Sequence, residues 1–132
     1  MSNRFEKQTI NGADVIVDNV TGLMWDAADS SPERLPHEEA MQAAAKVRTA
    51  GFEDWRAPTQ IELETLRDLA RFDPAADPIL NLRSSWYWSS TPAAESPSGF
   101  AWAVSFDYGY SGILIRNYTA FVRAVRSARA SQ

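Results

Sequence analysis

Residues 86–121 hold ten of the chain's fifteen aromatic side chains but only three of its thirty charges, Glu95, Asp107 and Arg116. Within that segment the apolar period is two. Phe100, Trp102, Val104 and Phe106 alternate with Ala101, Ala103, Ser105 and Asp107, while Trp86, Trp88 and Ser90 alternate with Tyr87, Ser89 and Thr91. This is the pattern of strands with one face turned to a core. Strands must pair to satisfy their main-chain groups, which commits the second half of the chain to an antiparallel sheet. Tyr108-Gly109-Tyr110-Ser111-Gly112 reads as a turn, and Ile113 to Arg116 and Phe121 to Arg126 read as further strands. A three- or four-stranded meander is therefore expected to close the chain. Trp25, Trp86, Trp88 and Trp102 all occupy strand positions and are expected in the core.

The first half has a different grammar. Asn11-Gly12 is a strong hairpin dipeptide between residues 4–10 and the β-branched run Asp14-Val15-Ile16-Val17-Asp18-Asn19. Thr21-Gly22 makes a second turn before Leu23-Met24-Trp25, and residues 30–36 read as a loop. A helix is expected over 36–50, with Glu38 and Glu39 near its positive end, a narrow stripe of Ala40, Met41, Ala44 and Val47, and Gly51 as its stop. His37 falls at its exposed start and is expected at the surface. Thr59-Gln60-Ile61-Glu62 is a capping box opening a second helix. Ile61, Leu66 and Leu69 are its expected buried residues, with Leu63 and Ala70 alongside, and Asp73-Pro74 and Asp77-Pro78 follow as terminators.

Composition narrows the chemistry. At 132 residues and net charge −4, one domain over 1–126 with a flexible tail at 127–132 is expected. Such a length buries roughly two thirds of its unfolded surface without covalent staples. No cysteine is present and His37 is the single histidine, which removes disulfides, cysteine nucleophiles, Cys-ligated metals and His-based triads or metal clusters. A sequence pI near 4.9 argues against a nucleic-acid partner. No apolar run reaches the length of a membrane span, and residues 1–8 are polar where a leader would be apolar. The expectation is a chain without membrane insertion, cytoplasmic unless it is part of a longer exported protein.

Four phrases carry a resemblance when taken in order. They are Val17-Asp18-Asn19-Val20-Thr21-Gly22-Leu23-Met24-Trp25, Gly51-Phe52-Glu53-Asp54-Trp55-Arg56-Ala57-Pro58-Thr59 with Glu62-Leu63, Trp86-Tyr87-Trp88-Ser89-Ser90-Thr91, and Phe121-Val122-Arg123-Ala124-Val125-Arg126. Together they resemble the DUF1566 family, typified by the C-terminal domain of the Legionella collagen-like protein. The resemblance implies an α+β, C-type-lectin-like fold: two helices beside a small twisted antiparallel sheet, paired terminal strands, and loops presenting a binding surface. It also implies kinship with the formylglycine-generating-enzyme-like group, which includes enzymes and display proteins, some of them variable targets of diversity-generating retroelements.

The residues point away from catalysis. The cysteines of formylglycine-generating enzymes have no counterpart here. Glu38 with Glu39, and Asp73 with Asp77, read as a dipole-matched helix start and solvated loop acids. The acidic-Pro-Asn loop and Trp-Asn-Asp strand of calcium-dependent lectins are missing, so no metal or cofactor is implied. Asp54-Trp55-Arg56 reads as an anchor of helix to sheet, and Arg123 and Arg126 as holding the terminal strands through carboxylates. The functional candidates are Asp107, Tyr108, Tyr110, Ser111, Arg116, Asn117 and Tyr118, polar and aromatic residues of the kind that build adaptable contact surfaces. A non-enzymatic module recognising a protein or a glycan is the leading reading. The alternatives are a degenerate formylglycine-generating-enzyme relative with small-molecule activity and a trimerising adhesion module.

Overall fold

Asn11 and Gly12 both adopt positive φ, 50° and 80°, as a two-residue hairpin turn demands. They join β1 (Phe5–Ile10) to β2 (Ala13–Asp18) in one unbroken antiparallel ladder. The computed structural model describes residues 4–128. Asp18 ends β2 by accepting hydrogen bonds from the N–H groups of Val20 and Thr21 and a two-pronged bond from Arg4 at 3.0 and 2.8 Å. The chain thereby turns through Gly22 into β3 (Leu23–Asp26), which pairs with β2. The second sheet is the meander β4 (Trp86–Pro92), β5 (Phe100–Ser105) and β6 (Tyr110–Ile115). The architecture is thus α+β with two antiparallel sheets, not one.

The expected fourth strand of the meander goes elsewhere. All six residues from Phe121 to Arg126 are buried, which a strand at the rim of a meander cannot be. The segment instead threads between the sheets, bridging Leu35 at Ala120, Tyr87 at Phe121 and Arg56 at Val125. It then joins β3 as β7 (Val125–Ser127), giving the order β1-β2-β3-β7. The expected pairing of the terminal strands is thus not made: β7 pairs with β3, and β1 lies at the opposite edge of the same sheet, because the Asn11-Gly12 hairpin commits β1 to β2. The tail expected from Ser127 starts later: Ser127 pairs with Leu23, and the Ala128 N–H donates to the Gly22 carbonyl at 2.9 Å. The rest of that tail, 129–132, lies outside the described residues.

Both helices are shorter than their patterns suggest. α1 (His37–Ala45) stops five residues before Ala50 because Arg48 donates to the carbonyls of Ala45 and Val47 at 3.0 and 2.8 Å, and Ala50 turns left-handed. α2 (Gln60–Glu64) has both bonds of its capping box. With only this short helix formed, Leu63 and Leu66 enter the core, while Ile61 and Leu69 remain 81% and 74% exposed.

β5 is buried on both faces: Val104 and Phe106 are fully buried, as the alternation predicts, but Phe100 and Trp102 of the same face are not. Ala101 and Ala103 are fully buried, whereas Phe100 and Trp102 are half-buried. The reason is Trp88, which is fully buried and sits opposite Ala103 in the ladder. Its indole N–H donates to the Leu35 carbonyl at 2.8 Å. A large indole sharing a layer with α1 leaves room only for small side chains, and Ala40, Ala44, Ala101 and Ala103 supply them. Trp25 is fully buried in the other core cluster, with Leu63, Tyr87, Val104 and Phe106. Trp86 is half-buried and covers Gly112.

His37 is not at the surface but 4% exposed. Its Nε2 lies 2.9 Å from the Ser89 carbonyl, which can only accept, so Nε2 carries the proton. Nδ1 then accepts from the Arg116 guanidinium at 3.1 Å. Burial first, and the Arg116 charge second, hold the imidazole below its ordinary pKa, outweighing the Ser89 bond.

Two predictions follow from this packing. In urea denaturation, Trp88→Ala is expected to cost about 3–5 kcal/mol and Trp102→Ala only about 1 kcal/mol; equal losses would place Trp102 in the core after all. The unfolded chain binds a proton on His37 more readily than the folded one, so stability is lost as pH falls below the ordinary imidazole value of 6.5. His37→Gln keeps an N–H for Ser89 and cannot be protonated. Between about pH 7 and about pH 5 it should lose less stability than the wild type, and parallel pH profiles would show that His37 is protonated at no cost.

Candidate functional site

The sequence-nominated residues do not form one site. β6 runs about 17 Å from Tyr110 to Ile115 at roughly 3.4 Å per residue. Asp107, Tyr108 and Tyr110 lie at one end of it and Arg116, Asn117 and Tyr118 at the other. Ser111 lies on β6 near the first end, paired with Val104, and its Oγ is buried without a hydrogen-bond partner.

The first end is built by a loop folded onto the β5–β6 turn. Asp73 and Ala75 donate their N–H groups to the carbonyls of Asp107 and Phe106 at 2.7 and 2.6 Å, and Arg67 donates to the Gly109 carbonyl at 2.8 Å. Gly109 has φ 89°, and a Cβ there would come within 3.2 Å of a Leu69 methyl. The position therefore admits glycine for two reasons at once. The fixed turn lays Phe72 and Tyr108 parallel, with ring centroids 5.8 Å apart and planes at 4°, and brings Tyr110 within 6.3 Å of Tyr108. Leu69, Phe72, Tyr108 and Tyr110 are 74%, 67%, 57% and 62% exposed. The result is an aromatic ledge on a hydrogen-bonded base. Sequence reasoning missed its Phe72 and put Leu69 inside a helix. The available signal was Asp73-Pro74, which ends the helical pattern and leaves both apolar residues in a loop.

At the other end, Arg116 donates to His37 and to the Pro97 carbonyl. It lines an open cleft of about 710 Å³ with His37, Glu38, Gln42, Ser98 and Asn117. Glu38 and Glu39 are exposed on its rim, so the cleft has no single sign of charge. Tyr118 is 45% exposed.

A second cleft, about 510 Å³, opens beside Asp29, Asn81, Arg83 and Arg123. Its ionic groups are already engaged. Arg123 donates to Asp29 and to the carbonyls of Asp26, Leu80 and Asn81. Asp29 also accepts from the Tyr87 hydroxyl at 2.9 Å and pairs with Arg83 at 3.3 Å. Burial first, then the adjacent carboxylate, push the Tyr87 hydroxyl far above its ordinary range. Such a hydroxyl donates and does not ionise.

The Asp54-Trp55-Arg56 anchor is likewise consumed internally. Asp54 takes a two-pronged bond from Arg126 at 2.6 and 3.2 Å, whose guanidinium lies 3.7 Å from the centre of the Phe52 ring. That hydrogen bond, more than any other cause, holds the Asp54 carboxyl below its ordinary value. Arg56 grips Glu62 with two bonds of 2.7 Å, and the buried Trp55 donates to the Thr49 carbonyl at 3.0 Å. Among the described residues, no three His, Asp or Glu side chains are grouped to hold a metal ion, and no helix is long and apolar enough to cross a membrane.

Comparison with known proteins agrees with the motif order. No curated protein matches the chain. The sequence model of the Lcl C-terminal domain covers residues 14–126, which takes in all four motif phrases and, apart from β1 and one end residue each of β2 and β7, both sheets. The chain belongs to the Lcl C-terminal domain family.

Proposed function

We propose that the protein is a non-enzymatic binding module of C-type-lectin-like design, and that its ligand, a protein or a glycan, docks on the ledge formed by Leu69, Phe72, Tyr108 and Tyr110. The observation that carries this reading is the exposure of three neighbouring aromatic rings, each more than half open to solvent, on a base held by main-chain hydrogen bonds. Burying such rings against a partner releases apolar area from water, and little side-chain freedom is lost because the rings are already positioned. Asp107 beside the ledge and the tyrosine hydroxyls supply polar contacts of the kind that set orientation. The absence of cysteine argues for binding rather than formylglycine chemistry. Tyr108 and Tyr110 also lie in the segment 102–126 that a diversity-generating retroelement would vary. A near-identical template repeat beside the gene is the mark of that origin.

The test compares the wild type with the combined variant Phe72→Ala, Tyr108→Ala, Tyr110→Ala on a glycan array and against a displayed protein library. The variant should melt within a few degrees of the wild type, since exposed residues away from structural features contribute about 0.5 kcal/mol or less each. It should bind the wild-type hits at least about tenfold more weakly. Hits retained at full affinity by a folded variant would remove the ledge from the binding site.

A further inference from the structure

The two polar partners of the His37 ring leave no place for a second proton. The Ser89 carbonyl at Nε2 can only accept, and the Arg116 guanidinium at Nδ1 can only donate. The observed arrangement therefore requires the neutral imidazole. A proton on Nδ1 would set N–H against N–H and hold two cations at the 3.1 Å now spanned by a hydrogen bond, where burial leaves little water to screen them.

The surroundings decide which of the two side chains gives way. His37 is held at three points: by Ser89, by the Trp88 ring standing edge-on at 5.0 Å and 86°, and by its own main-chain N–H, which donates to the Arg116 carbonyl at 2.9 Å. Arg116 is half-buried and borders the open cleft of about 710 Å³. Its Nε is buried without a hydrogen-bond partner, so outward movement gives that group the water it lacks. The same cleft is rimmed by the exposed carboxylates of Glu38 and Glu39, which can receive a displaced guanidinium. No other charge faces the ring from the elements packed on it. β4 is WYWSSTP, without a charged residue, and Glu95 on the segment 93–99 is exposed outside the cleft lining.

Arg116 also does more than meet the imidazole. Its second terminal nitrogen donates to the Pro97 carbonyl. The main-chain bonds from Ser96 to Ala93 and from Gly99 and Phe100 to Ser96 close the segment 93–99 on itself. One guanidinium thus ties the tip of the β4–β5 loop to the start of α1.

We propose that His37 and Arg116 form an acid-operated latch. With His37 neutral, Arg116 fastens the β4–β5 loop to α1; a proton taken up at Nδ1 drives the guanidinium into the cleft, releases Pro97 and widens the opening between α1 and the loop. The change falls on the acid side of 6.5, because burial first and the Arg116 charge second oppose the proton. The aromatic ledge lies at the far end of β6 and takes no part in it.

Proton–nitrogen NMR of the full chain, titrated from about pH 7.5 to about pH 5, tests the latch. The His37 ring is expected to titrate below 6.5, and the amides of Ser96, Ser98 and Gly99 should shift in the same step. Hydrogen-exchange protection of the Gly99 and Arg116 amides should fall about tenfold across it. His37→Gln takes up no proton and offers an N–H to Ser89 and a carbonyl to Arg116, so its loop amides should hold still. Arg116→Gln removes the opposing cation: the His37 midpoint should rise, and the loop amides should stay near their acid positions throughout. Loop amides that hold still while His37 titrates, a loop step that survives His37→Gln, an imidazole still neutral at about pH 5, or collapse of the whole spectrum together with the loop step would each overturn the proposal.

Discussion

The guanidinium of Arg123 is the interaction on which the rest of the structure hangs. It is 1% exposed, at the centre of the segment that threads between the sheets. Leaving such a charge buried without partners would cost several kcal/mol. Asp29 provides the countercharge, and the carbonyls of Asp26, Leu80 and Asn81 take the remaining donors. Those partners come from the end of β3 and from the loop leading into β4, so one side chain draws together parts of the chain that no ladder connects. Tyr87 extends the network from β4 to Asp29. The threaded path of residues 121–126 is thus both the consequence of Arg123 and the condition for its burial.

The same device recurs at smaller scale around the periphery. Arg4 closes on Asp18, Arg56 on Glu62 and Arg126 on Asp54, each through two parallel hydrogen bonds. The planar fork of arginine suits this geometry, which lysine cannot reproduce. All four phrases that identify the family supply members of these clamps or of the core beneath them. Their chemistry is spent on holding the domain together. What remains free is elsewhere, in an aromatic ledge at one end of β6.

Much of this was legible in the sequence. The Asn11-Gly12 hairpin, the Thr59–Glu62 capping box and the period of two after Trp86 are local signals, and local physics decides them. Arginine anchoring at Arg123 and Arg126 was also readable, though not which carboxylates answer. What the sequence hid depends on tertiary neighbours. Alternation shows that the faces of β5 differ, but only the volume of Trp88 beside α1 shows that Ala101 and Ala103 are buried as fully as Val104 and Phe106 on the other face. His37 looked solvent-exposed between acids, yet the Ser89 carbonyl and Arg116 meet it from residues distant in the chain. Phe121 to Arg126 has the period of a meander strand, and only its burial on all sides shows that it crosses between sheets. The candidate site was half visible: the tyrosines were named, but Leu69 and Phe72 join them through a loop contact that no sequence period encodes.

The central claim is that Arg123 and Asp29 act as one unit that fastens the two sheets. A double-mutant cycle in urea, using Arg123→Leu, Asp29→Leu and the pair together, measures it directly. Asp29→Leu is expected to be severely destabilising because it leaves the buried guanidinium without a countercharge, Arg123→Leu is expected to cost less because Arg83 and Tyr87 still meet Asp29, and the double variant should recover about 2–3 kcal/mol of the summed loss. A coupling below about 0.5 kcal/mol would show that the two residues contribute independently and would contradict the account.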